Sequence, residues 1–253
     1  MLRGLLTLAT FAVSTTILGV IAIAAGLATG KREIVFRLGR FWSRLHLSAM
    51  GIHPQYEGLD HASGTAPRVF LANHFSTLDI WVLVPALPDT TRFVAKKSIF
   101  WIPVLGQAMR VAGFIPIDRA DRTRAIRSLG RAGARIASGE SVILFPEGTR
   151  SRDGKLGRFK RGSFHLALET GVPIVPVAIS GTGRVVAPRS IVVRPGPVRV
   201  TFLPPIDTSA YTTDTLDELL ERTRDAISRH LDADERGTDE APMSAPVRRA
   251  RAW

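Results

Sequence analysis

The sequence contains no cysteine. Structural disulfides, thiolate metal sites and cysteine nucleophiles are thereby excluded, and the absence agrees with a reducing compartment. Acidic residues are scarce as well: 22 Asp and Glu stand against 34 Lys and Arg, a formal net charge of +12. A surface of that sign attracts polyanions, whether nucleic acid, anionic lipid headgroups or phosphorylated metabolites. No G-x-S-x-G stretch is present, which removes the nucleophile elbow of serine hydrolases. The six histidines include no H-E-x-x-H or similar spacing, so no metal is expected. The basic residues are not interleaved with stacking aromatics and no reader motif is found, so nucleic acid is not expected as a partner.

What is present begins with an uncharged run. Residues 4–30 are mostly Leu, Ile, Val, Ala and Thr, and at about 1.5 Å per residue they are long enough for the roughly 30 Å hydrocarbon core of a bilayer. A secretory signal is the rival reading, with Arg3 in front and small residues in "AAGLATG". Its apolar core is usually only about 7–15 residues, so a retained anchor is expected. Lys31, Arg32, Arg37, Arg40 and Arg44 follow the run. If it spans, the positive-inside rule leaves the rest of the chain on the cytoplasmic side of the cell membrane.

In "KREIVFRLGRFWSRLHLSAM" the residues Ile34, Val35, Leu38, Phe41, Trp42 and Leu45 recur at helical spacing among arginines. Such a helix suits an anionic membrane interface. It equally suits the surface of a catalytic domain, with its arginines in water. Together the two segments also fit a hairpin dipping into one leaflet.

Beyond residue 50, β-rich runs at 68–72, 91–96, 113–118, 141–145, 173–179 and 198–203 alternate with helical stretches, and "IVVRPG" is a further candidate strand. Alternation of this kind predicts an α/β domain over 51–231, with a mostly parallel or mixed sheet covered by helices. Residues 1–50 form the N-terminal anchor and amphipathic helix. Gly139 and Gly171 sit where helix C-caps are expected. Thr215 and Glu218 offer a capping box to a last helix. Residues 232–253 hold little that can pack and read as a disordered tail.

The chemistry concentrates in two segments. In "FLANHFSTLDIW", residues 70–81, a strand ends at Asn73 and His74, and Asp79 follows. Five residues on one helix separate side chains by about 140°, so His74 and Asp79 meet only if the chain turns at Phe75–Ser76. Ser76 and Asp79 then make a capping box, and Asp79 can also fix the His74 tautomer so that the other nitrogen takes a proton from a hydroxyl. In "SVILFPEGTRSRDGKLGRFKRG", a strand runs into Glu147, Gly148, Thr149 and Arg150. From 147 to 161 there are six basic residues against two acidic ones. Gly148 permits close approach of a ligand, Arg150 offers a planar fork for phosphate, and Glu147 can hold that fork. "GFIPIDR" also ends a strand on a basic residue, Arg119.

Taken in order, these segments resemble the phospholipid and glycerol acyltransferases, most nearly the 1-acylglycerol-3-phosphate (lysophosphatidic acid) acyltransferases. Asn73, His74 and Asp79 match the family's N-H-x-x-x-x-D motif. "GFIPIDR" (113–119), "FPEGTRS" (145–151) and "VPIVP" (172–176) look like its second, third and fourth motifs. Residues 95–109 are similar to its connection between the first two. The resemblance covers roughly residues 30–205. It implies a general base, His74, oriented by Asp79, which deprotonates the sn-2 hydroxyl of lysophosphatidic acid for attack on acyl-CoA or acyl carrier protein. It implies that Asn73, Arg119, Glu147, Gly148, Thr149 and Arg150 bind the acceptor, with Lys96, Lys97 and Lys160 as further anion contacts. No cofactor is implied beyond the acyl donor itself. Glycerol-3-phosphate or another lysophospholipid as acceptor would be served by the same motifs.

Overall fold

The computed structural model describes residues 2–187, 190 and 192–237. Two helices, α1 (Leu2–Thr29) and α2 (Arg32–Ala49), form a hairpin turned at Gly30, whose φ of 67° suits glycine. There follow β1 (Gln55–Glu57), α3 (Leu59–Ala62), β2 (Val69–Ala72), α4 (Leu78–Leu83) and β3 (Thr91–Lys96). After a 3-10 turn at Lys97–Trp101 come α5 (Leu105–Val111), β4 (Ile115–Ile117), α6 (Arg122–Ala137) and β5 (Ser141–Leu144). The chain continues through α7 (Gly162–Thr170), β6 (Ile174–Ser180), α8 (Thr182–Val185), β7 (Arg199–Phe202) and α9 (Leu216–Arg229).

The strands make one seven-stranded sheet in the order β1-β7-β6-β2-β5-β3-β4. Pairing is parallel except between β6 and β7, so the sheet is mixed, as the alternating pattern predicts. Both faces are covered, which is why β2, β5 and β6 read as continuous apolar runs. Side chains still alternate. Val69, Leu71, Val142 and Leu144 join a cluster with Ala132 and Ile136 of α6, Phe164 of α7 and Leu219 of α9. Phe70, Ala72, Ile143 and Phe145 join another with Phe36 and Leu47 of α2 and Leu78 and Val82 of α4. β1 was not legible in the sequence, being three residues with one half-buried side chain. The expected strand at "IVVRPG" is absent at residues 192–196, where the chain is irregular. The capping box at Thr215 does not form: its hydroxyl accepts the Thr212 N–H instead, at 2.9 Å.

α2 packs on the α/β domain. Arg32, Arg37 and Arg44 keep their exposure to water, as that alternative expects, and only Arg40 is half-buried, while three of the four also find acidic partners. Arg37 and Arg40 pair with Asp89, and Arg32 lies 3.6 Å from Glu140. Glu140 also receives the fully buried Arg92, whose Nε and Nη2 are each 2.8 Å from Oε1. Arg32, Arg37 and Arg40 thus help to seat the hairpin on the domain. α1 contains one stretch, Thr10–Thr29, long and apolar enough to cross a membrane. It is not free-standing: Gly19 lies against Val104, and Gly26 lies against Val111 and Val35, so close that a Cβ at either would collide. Its outer side exposes Val13, Ile17, Val20, Ile21 and Leu27.

Residues 232–237 depart from the expected disordered tail. Glu235 is buried, its carboxylate accepts the Gly181 N–H at 2.8 Å, and its carbonyl accepts the Leu156 N–H at 2.9 Å. Low apolar content concealed a segment held by hydrogen bonds. The rest of that tail lies outside the described residues.

Candidate active site

Because β2, β3, β4, β5 and β6 are parallel, their carboxyl ends share one edge, where sites of open α/β sheets gather. His74 follows β2, and Glu147 to Arg150 follow β5 next to it. Lys96 and Lys97 close β3, and Arg119 follows β4.

Turning at Phe75–Ser76 brings Asp79 back under His74. Nδ1 of His74 lies 2.7 Å from Oδ2 of Asp79, and the same oxygen accepts the N–H groups of Phe75 and Ser76, each at 2.8 Å. One carboxylate thus caps the turn and orients the imidazole together. Ser76 contributes the other half of the box, its hydroxyl accepting the Leu78 N–H at 3.3 Å. A carboxylate only accepts, so Nδ1 carries the proton and Nε2 is left to take one. Asp79 is fully buried, and the His74 side chain is 9% exposed.

Two residues that sequence reasoning gave no role complete the mounting. The Phe145 ring stacks on the imidazole at 3.9 Å between centroids and 16° between planes. The Thr182 hydroxyl donates to Oδ1 of Asp79, from just beyond β6. Phe145 stands in the third motif and was findable there. Thr182 carries no spacing signal.

Two expected binding residues have other tasks. Asn73 is fully buried, and both ends of its amide are consumed by Ile179: Nδ2 donates to the carbonyl at 2.8 Å and Oδ1 accepts the N–H at 2.7 Å. It ties the end of β2 to β6, and its side chain is closed off from solvent. Glu147 does not hold Arg150. Its Oε1 accepts the His74 N–H at 2.7 Å and its Oε2 the Gly157 N–H at 3.0 Å, tying the two motif loops together. A Cβ on Gly157 would stand 2.9 Å from that second oxygen, so a larger residue there would push the carboxylate aside.

Burial pushes the Glu147 carboxyl up to about 7, with the nearby Asp79 charge adding to the push and the two N–H donors pulling against it. The folded value exceeds the ordinary 4.5, so the unfolded chain loses this proton first as pH rises. The group's contribution is fully present below pH 4.5 and is lost as pH climbs through about 7, about 3 kcal/mol in all. We expect Glu147→Gln, which cannot ionise, to remove this part of the pH dependence. Melting curves from pH 4 to 8 should show the wild type declining relative to the variant across that window. A constant difference would contradict it.

Arg150 is exposed and reaches back to the first motif, its Nη1 donating to Thr77 Oγ1 at 2.6 Å, while the Ser151 N–H donates to the His74 carbonyl at 2.8 Å. Gly148 holds a φ of 73°, and the Lys160 side chain lies over it, Nζ being 2.7 Å from where a Cβ would be. Thr149, Lys96, Lys97 and Arg119 are exposed on the same edge. Arg119 is the most distant: β4 is three strand spacings, about 14 Å, from β2. A basic rim therefore surrounds a buried His–Asp pair, an arrangement able to take a proton from a hydroxyl borne on an anionic molecule.

Comparison with known proteins is consistent with this geometry. Residues 53–180 match the family model described as Acyltransferase. A 1-acyl-sn-glycerol-3-phosphate acyltransferase of Limnanthes douglasii is 39% identical over 187 residues, covering 74% of this chain and 66% of the relative. The human alpha form is 33% identical over 198 residues, covering 76% and 70%. The match to a chloroplastic Brassica napus relative spans 51% of that protein, so the chain accounts for between half and two thirds of the plant relatives. Among solved structures, the 1-acyl-sn-glycerophosphate (LPA) acyltransferase of Thermotoga maritima superposes with a TM-score of 0.79 at 26% identity, covering 90% of this chain and 94% of that one.

Proposed function

The chain belongs to the acyltransferase family, and we propose that it moves an acyl chain from acyl-CoA or acyl carrier protein to the sn-2 hydroxyl of 1-acylglycerol-3-phosphate, giving phosphatidic acid. The observation that carries this reading is the His74–Asp79 hydrogen bond beside Arg150 at the carboxyl edge of the sheet. The relatives' names supply the acceptor class.

In the proposed reaction, Nε2 of His74 accepts the acceptor's hydroxyl proton as the oxygen bonds to the thioester carbonyl carbon. Asp79 stabilises the resulting imidazolium. The tetrahedral adduct collapses with cleavage of the C–S bond, and the proton passes from His74 to the departing thiolate. A thioester is already activated, so no acyl-enzyme is needed. Arg150, one strand from His74, is the first choice for the acceptor's phosphate, with Lys160 beside it and Lys96, Lys97 and Arg119 further along the rim. The hairpin and its exposed apolar side chains would seat the domain on an anionic membrane, where both substrates are concentrated. The cytoplasmic face of the cell membrane is the side proposed.

An acceptor panel tests the reading: thiol release from acyl-CoA with lysophosphatidic acid, glycerol-3-phosphate and lysophosphatidylcholine. Lysophosphatidic acid should be fastest, and a clear preference for either other acceptor would reassign the substrate. Arg150→Ala should raise KM for lysophosphatidic acid roughly tenfold or more, with kcat nearly unchanged, since it removes a charged contact made in ground and transition states alike. Unchanged KM would take Arg150 out of the site.

A further inference from the structure

We propose that residues 232–237 act as a strap that positions the catalytic pair, with Glu235 and Thr182 as its two working side chains, joined through the short helix α8. The inference rests on the reading of His74 and Asp79 as the general-base pair.

Asp79 is completely buried, and its two oxygens have different attendants. Oδ2 serves the His74 turn, as described. Oδ1 is met by the hydroxyl of Thr182, itself fully buried, which arrives from β6 and not from the local turn. A carboxylate seated from both sides has one orientation, and that orientation sets the plane of the imidazole. Thr182 thus acts on His74 only through Asp79.

What fixes Thr182 lies on the opposite side of α8. The preceding residue, Gly181, has a φ of 89°, and a Cβ there would stand 2.1 Å from the Pro197 carbonyl oxygen. This turn is strained for any other residue. Its polar groups are taken up by Glu235: Oε1 accepts the Gly181 N–H at 2.8 Å, and Oε2 accepts the Ser180 hydroxyl. Arg184, also on α8, clasps the strap from outside. Its Nη1 is 2.9 Å from both oxygens of Asp234 and 3.7 Å from Glu235, and its Nη2 pairs with Asp232. α8 therefore faces Asp79 through Thr182 and faces the strap through Gly181 and Arg184.

The strap also reaches the other side of the site. The Glu235 carbonyl accepts the Leu156 N–H at 2.9 Å, and a Cβ on Gly237 would stand 2.2 Å from the Leu156 carbonyl. Leu156 precedes Gly157, whose N–H holds Glu147 beneath His74. One short segment thus braces both loops that fix the imidazole, although it lies more than 50 residues beyond the last residue of the matched family region.

The test compares Thr182→Val, Thr182→Ser, Glu235→Ala, Glu235→Gln and the double variant Thr182→Val/Glu235→Ala in the full chain, reading kcat, KM for lysophosphatidic acid and melting temperature. Thr182→Val keeps the side-chain shape and removes only the donor. We expect it to lower kcat roughly tenfold or more while KM moves less than about threefold, the scale of one hydrogen bond to a buried charge. Glu235→Ala should do the same. Thr182→Ser restores the hydroxyl and Glu235→Gln restores the Gly181 acceptor, and both should recover most of the lost kcat. Because the strap acts through Thr182, the double variant should lose no more than the worse single one. Fully additive losses, or a folded Thr182→Val with wild-type kcat, would overturn the proposal, and the second result does so even if Glu235→Ala fails to fold. His74→Ala is run alongside. If it keeps wild-type acyl transfer, the general-base reading fails. If it is inactive while folded Thr182→Val and Glu235→Ala retain wild-type kcat, the strap alone fails.

Discussion

His74→Ala should lower kcat for acyl transfer by about a thousandfold, within the usual range for loss of a general base, and leave KM for both substrates nearly unchanged. With its Nδ1 committed to Asp79, the imidazole has Nε2 left to accept the hydroxyl proton in the proposed reaction. Its removal leaves the hydroxyl un-ionised against an activated thioester, so a residual rate from proximity alone is expected. Folding should be little affected. The motif loop is held by backbone groups, the His74 N–H on Glu147 and the His74 carbonyl receiving the Ser151 N–H, and alanine keeps both. What alanine does lose is the ring stacked on Phe145. Rapid-quench or steady-state thiol release, with the melting temperature measured on the same preparation, separates the two effects. A folded variant within tenfold of wild-type kcat would contradict the role given to His74.

Asp79→Asn should be nearly as damaging, with kcat reduced about a hundredfold to ten-thousandfold, and it should also destabilise the protein. Asparagine keeps the shape and one acceptor oxygen but loses the charge that stabilises a forming imidazolium. The structural part follows from the crowding on Oδ2, which accepts from His74, Phe75 and Ser76 together. These are charge-assisted bonds, and an amide oxygen receives them more weakly. The melting temperature should fall for Asp79→Asn and stay close to wild type for His74→Ala. That contrast distinguishes a residue that both caps and orients from one that only reacts. Equal kcat in Asp79→Asn and wild type would separate Asp79 from catalysis and leave it a cap.

The sheet and the meeting of His74 with Asp79 were legible for the same reason: each is written in local pattern. Apolar runs ending in Asn73–His74 and Pro146–Glu147 mark strands with something polar at their carboxyl ends, and a turn followed by Ser76 and Asp79 marks a helix start. The cap and the pair proved to be one arrangement. Illegible were the contacts that join distant segments. Nothing in the neighbourhood of Thr182 announces that its hydroxyl reaches Asp79, 103 positions earlier. Nothing around Glu235 announces Gly181, 54 positions earlier, and the polar composition of residues 232–237 argued against any packing. Glu147 and Asn73 were misassigned for a related reason. A polar side chain at a strand end looks like a ligand from its sequence, whereas burial had committed each to backbone groups. The pairing of the α2 arginines was illegible too, because their acidic partners Asp89 and Glu140 lie far along the chain.

The basic rim also explains the imbalance of charge only in part. Arg150 and Lys160 stand at the site, while Arg92 is buried at the joint between hairpin and domain and Arg32, Arg37 and Arg40 pair across its edge. Net charge by itself therefore measured two different things.

The central claim is tested most directly by following both products of the wild-type protein, given acyl-CoA and lysophosphatidic acid in mixed micelles, beside His74→Ala. The account predicts one free thiol for each phosphatidic acid formed, dependence of both on the acceptor, and near-complete loss of both in His74→Ala. Thiol release that does not require the acceptor, or phosphatidic acid formed equally well by a folded His74→Ala, would contradict it.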